Sequence, residues 1–195
     1  MIAALVLAST LAGKGGTVSP RPAPPIYVSG NYALTFRSPA HVAYCPLPDD
    51  WVGSDHGAVI FLKSPRQCGG SGFPSSARGF LPSDTPRIEV YYGYRFDEDE
   101  RSPKVCHRSG FIRLDGQRRP LCQGREGRMT TFEADAPYEA DQPAEVDLRL
   151  VTTPSREARD LAVLMRMAAS VRGCAYPGSS PPMGSGAPCP KGAWF

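Results

Sequence analysis

Proline and glycine together make up more than a fifth of this chain, 21 and 20 of its 195 residues, and this density constrains the fold most. Proline removes a backbone donor and glycine weakens regular elements, so a helical bundle is excluded and many turns joining short strands are expected. The two residues concentrate in residues 19–25, 69–79 and 177–190, which read as a linker, a long surface loop and a coil tail. The expected layout is a signal segment over residues 1–13, a Pro-rich linker over 14–25, one globular domain over 26–176 and a Gly/Pro-rich tail over 177–195.

The strand signals lie between those breaks. Residues 57–62 form a continuous apolar run of strand length, expected to be buried on both faces. In residues 87–96 the order RIEVYYGYRF alternates apolar and polar positions, which predicts a strand buried on one face, with Glu89 on the other. Residues 26–28 and 32–36 read as short strands, residues 41–44 as a continuation, and residues 129–132 and 146–151 as two more. Asp115-Gly116 suits a type I′ turn and predicts a two-residue hairpin that sets Leu114 opposite Gln117, Ile112 opposite Arg119 and Ser109 opposite Cys122.

One helix is expected, starting at the N-cap Thr153 with Pro154 in the first helical position and ending at Gly173. On a helical wheel Ala158, Leu161, Leu164, Met165 and Ala168 make a stripe for the sheet, opposite Arg156, Arg159, Arg166 and Ser170. Val163 and Met167 then fall outside the stripe, four residues apart, as a candidate contact face. The fold class expected is α+β, a mainly antiparallel sheet with one C-terminal helix, stapled by disulfides.

Six cysteines, an even number without any Cys-x-x-Cys, read as disulfides rather than zinc ligands. The expected pairs are Cys45 with Cys68, Cys174 with Cys189 and, by elimination, Cys106 with Cys122. The last conflicts with the hairpin register, which leaves Cys106 three residues, about 10 Å, from the position facing Cys122. Residues 1–13, MIAALVLASTLAG, have the length and apolarity of a secretory h-region with a small-residue exit, and fall short of the roughly 20 residues that span a bilayer. A periplasmic or secreted location follows as the expectation, with no transmembrane segment after signal cleavage.

Motifs for chemistry are sparse. Asp55-His56, near Ser54, Asp49 and Asp50, would supply a hydrolase with a His-carboxylate pair, but no nucleophile elbow accompanies it. His41, His56 and His107 stand singly, so no metal site is expected, and the glycines after Cys68 lack the Lys-Ser/Thr of a phosphate loop. Residues 97–100, DEDE, lack the spaced ligands of a calcium loop. A formal charge of +3 is too mild to point to nucleic acid, and no cofactor is expected. Arg113, Arg118, Arg119, Arg125 and Arg128 cluster around the hairpin, where they would meet an acidic partner or a polysaccharide. The reading is an exported, disulfide-stabilised binding or inhibitor-type module acting on a protein or envelope component, with Arg113, Arg118, Arg119, Val163 and Met167 as contact residues. The alternative is an extracytoplasmic hydrolase using His56 with Asp55 or another nearby carboxylate.

Overall fold

The computed structural model describes residues 21–23, 25–28, 34–44, 57–63, 85–94, 107–139, 142–174 and 187–192. Its frame is an antiparallel sheet of eight strands built from β1 (Arg21–Pro22), β4 (Ala43–Tyr44), β5 (Gly57–Phe61), β6 (Arg87–Tyr94), β7 (His107–Leu114), β8 (Gln117–Glu126), β9 (Met129–Glu139) and β10 (Gln142–Thr152). They are ordered β1-β4-β5-β6-β10-β9-β8-β7. The long meander β7 to β10 forms from consecutive hairpins, as expected where short turns separate alternating segments. β9 and β10 run for eleven residues each, well beyond the apolar cores that marked them in the sequence.

The first hairpin matches the turn chemistry. Asp115 and Gly116 both have positive φ, 48° and 75°, as a type I′ turn requires, and Leu114 faces Gln117 while Ile112 faces Arg119. The expected Ser109–Cys122 pairing is corrected: Arg108 faces Cys122, because a bulge at Ser109 inserts one residue. The Ser109 hydroxyl donates to the Leu121 carbonyl at 3.2 Å. The position facing Cys122 is therefore two residues from Cys106 rather than three. Cys122 is disulfide-bonded, while Cys45, Cys68 and Cys106 lie outside the described residues. The Cys174–Cys189 bond is formed as expected, with Cα atoms 4.7 Å apart.

A second antiparallel sheet, ordered β11-β3-β2, consists of β2 (Ile26–Val28), β3 (Leu34–Arg37) and β11 (Arg172–Gly173). Tyr27 and Phe36, paired across β2 and β3, stack with ring centroids 4.7 Å apart. Between the sheets lies the core, with Leu34 and Phe36 from the small sheet, Ile60, Ile88, Leu148, Leu150, Phe132, Ile112 and Leu121 from the large one, and Leu164, Met167 and Ala168 from the helix.

That helix, α1 (Glu157–Ala168), follows a single 3-10 turn at Pro154–Arg156, and Thr153 makes no side-chain cap. It ends five residues before Gly173, which instead pairs with Leu34 in β11. Ser170 and Val171 close the end through short bonds to the Met167 and Ala168 carbonyls, which turns Val171 into the core. The buried stripe is also rotated from the expected one: Asp160, Leu164, Met167 and Ala168 face inward, whereas Ala158 is exposed and Met165 is 42% exposed. Met167 is only 2% exposed and Val163 packs partly buried against the core. The two therefore form no free contact face. Met167→Gln should cost about 3 kcal/mol by burying an amide and losing apolar packing, measured as a shift of the urea midpoint. A loss below about 0.5 kcal/mol, the level of an ordinary surface substitution, would contradict this placement.

Three further readings shift. Within the stretch read as linker, Arg21–Pro22 pairs with β4, and the Ala23 amide donates to the Val42 carbonyl at 3.0 Å. Within the stretch read as tail, Gly192 lies so close to β2 that a side chain there would collide with Val28 and the Ile26 carbonyl. Over Arg87 to Val90, β6 is buried on both faces rather than one, because its charged residues are paired internally. Residues 1–13 lie outside the described residues, and no described helix is long and apolar enough to cross a membrane.

Candidate functional site

Alternation along β6, β8, β9 and β10 puts Arg87, Glu89, Glu126, Glu133 and Arg149 on the sheet face opposite α1. Arg149, central in β10, reaches carboxylates from three different strands. Its Nη1 donates to Glu89 at 3.2 Å and its Nη2 to Glu126. Its Nε stands 2.7 Å from Glu133 without the alignment of a hydrogen bond, so this third contact is an ion pair through charge. Arg87, 2% exposed, donates to Glu89 at 2.7 Å and so fixes the same carboxylate from the other side. Burial pulls the Arg149 pKa down, but the charges of Glu89, Glu126 and Glu133 outweigh it and the net displacement is upward. A guanidinium held charged among carboxylates fastens β6, β8, β9 and β10 together, and these carboxylates are already engaged. No metal-binding cluster of His, Cys, Asp and Glu occurs among the described residues.

The free charge is at the other end of the sheet. Residues 107–128 hold six arginines against two carboxylates, a net +4 where the whole chain carries +3, so the remainder is net −1. Alternation divides these arginines between the faces. Arg119 shares the α1 side with Ile112 and Leu114 and donates to Gln117 at 2.6 Å. Arg108, Phe111, Arg113 and Arg118 share the opposite side. There Phe111 is 39% exposed, with the Arg118 guanidinium 3.6 Å from its ring centroid and that of Arg108 at 5.5 Å. Arg113 stands directly opposite Arg118. Like charges in facing positions oppose folding by a few tenths of a kcal/mol. Among the described residues no carboxylate pairs with Arg108, Arg113 or Arg118.

Of the residues singled out from the sequence, Arg113 and Arg118 come together, and Arg119 is on the wrong face to join them. Val163 and Met167 belong to the packing of α1. Asp55 and His56 lie outside the described residues. His41 precedes β4 near one end of the sheet and His107 opens β7 at the other, so they do not converge. Phe111 and Arg108 were not anticipated. The signal for them was present, since residues 108, 111, 113 and 118 share a face once the bulge at Ser109 is allowed for, but a bulge is not visible in the hydrophobic pattern. No protein-family model, curated protein or solved structure matches this chain.

Proposed function

We propose that this protein is an exported, disulfide-stapled binding module that grips an anionic partner with the arginine face of the β7–β8 hairpin. The observation that carries the reading is Phe111, exposed and stacked against two guanidiniums that have no described carboxylate partner. An aromatic surface held against arginines is a common composition for contact patches, because the ring adds area while pre-ordering the charged side chains. The concentration of +4 on one hairpin of a nearly neutral chain supplies the steering field. The Cys174–Cys189 bond fits an oxidising compartment.

The test is fluorescence anisotropy with labelled polyglutamate and with heparin as probes. An Arg113→Glu, Arg118→Glu variant should bind about 30-fold more weakly, on the order of 2 kcal/mol, at unchanged melting temperature. Arg159→Glu on α1, remote from the patch, should change binding less than about threefold. Failure of the wild-type protein to bind either probe at physiological salt would overturn the reading.

A further inference from the structure

β7 is the terminal strand of the large sheet, with a neighbour on one side only among the described residues. The type I′ turn fixes which of its backbone groups are used. In a two-residue hairpin the residues flanking the turn exchange both hydrogen bonds, so Leu114, Ile112 and Gly110 point their N–H and C=O groups at β8. Phe111 and Arg113 point theirs outward. On β8 the same parity puts the Pro120 backbone on the β9 side. Proline has no N–H to offer there, and the β8–β9 ladder indeed stops at Cys122–Glu133.

The two residues with outward backbone groups are thus the same two that line the arginine face, beside Arg118 and Arg108. We infer that the β7 edge receives an extended acidic segment of a partner protein, which adds as a ninth strand with a carboxylate at every second position. This inference rests on the anionic-partner reading and names the partner's form. Backbone pairing to Phe111 and Arg113 would supply affinity, and every second side chain of the incoming strand would lie over Phe111, Arg113 and Arg118. Charge decides the occupant. A second copy of this chain would bring another arginine-bearing edge against the first, and like charges in facing positions oppose that pairing. The bulge at Ser109 bends the start of the strand and restricts the docking run to residues 110–114.

The experiment uses the whole oxidised protein and labelled heptapeptides of alternating Glu and Val, with blocked ends. One version is N-methylated on the Glu residues, one on the Val residues, and a third replaces Glu by Lys. All three keep the alternating pattern, and the first two also keep the charge. The parent peptide should bind, and one of the two methylated versions should bind at least about tenfold more weakly than the other, because only one set of amides faces β7. The Lys version should not bind. Hydrogen exchange at the Phe111 and Arg113 amides should slow by at least about tenfold in the complex, while the Ile112 amide, already bonded to β8, should change little. If the parent and both methylated peptides bind equally and the two amides stay unprotected, strand addition is refuted and the anionic-partner reading stands. If none of these peptides binds, and neither polyglutamate nor heparin does, both readings fall.

Discussion

Replacing Arg149 with methionine should lower the free energy of unfolding by about 4 kcal/mol, because it breaks a buried charge network by removing its shared cation. Methionine keeps most of the apolar stem volume, so the loss reports charge and hydrogen bonding rather than a cavity. The three carboxylates do not suffer equally. Glu126 and Glu133 are partly exposed and turn to water at small cost, whereas the Glu89 side chain is 9% exposed and loses one of the two guanidiniums that face its two oxygens, keeping that of Arg87. Most of the penalty therefore sits on Glu89. A second change, Glu89→Gln, should return about half of it, since the amide keeps an acceptor for Arg87 while discarding the charge. Urea titration of the wild type, both single variants and the double variant measures the coupling. If Arg149→Met alone costs less than about 1 kcal/mol, the network behaves as a set of surface pairs and its proposed role in fastening four strands is wrong.

That network also shows where sequence reading stops. The alternation in residues 87–96 set Glu89 apart from Ile88 and Val90, because side-chain parity is local, and the same parity in β10 sets Asp147 and Arg149 apart from Val146, Leu148 and Leu150. What it assigned to solvent is largely buried. Whether a charged face is wet depends on partners brought from other strands, and the contact of Arg149 with Glu89, sixty residues away, has no local signature. The hairpin was legible to the residue at its turn, where Asp115-Gly116 dictates geometry, and lost its register only at the bulge. In α1 the period was right and the phase was wrong by about a quarter turn. The cause is Asp160: a wheel that assigns every charged residue to solvent must rotate away from a helix whose buried stripe includes an aspartate. For the candidate site, Arg113 and Arg118 were legible as a basic hairpin, but their grouping with Phe111 and separation from Arg119 required the register.

Asp160→Ala should cost about 4 kcal/mol, an effect equal to that at Arg149 and of a different kind. The carboxylate is 1% exposed and accepts from the Thr152 hydroxyl at 2.6 Å, from Arg156 Nε at 3.0 Å and from Arg156 Nη2 at 3.0 Å. Arg156 Nη2 also donates to the Leu62 carbonyl at 3.3 Å, so one acidic group ties the first turn of α1 to the end of β10 and to the residue after β5. Its position in that first turn adds a favourable interaction with the helix dipole. Alanine strands the fully buried Thr152 hydroxyl and leaves Arg156 without its bidentate partner. Asp160→Asn retains an acceptor but no charge and should cost about 2 kcal/mol. Thr152→Val alone should cost about 1 kcal/mol, and the Asp160→Ala, Thr152→Val pair less than the sum by about 1 kcal/mol, because the orphaned hydroxyl is gone. An asparagine variant as stable as the wild type would show that the charge contributes nothing. Anisotropy with polyglutamate, well below each variant's melting temperature, should stay at the wild-type value, since α1 packs on the face of β7 opposite Phe111, Arg113 and Arg118. A binding loss that tracks the stability loss across these variants would instead place the helix inside the binding surface.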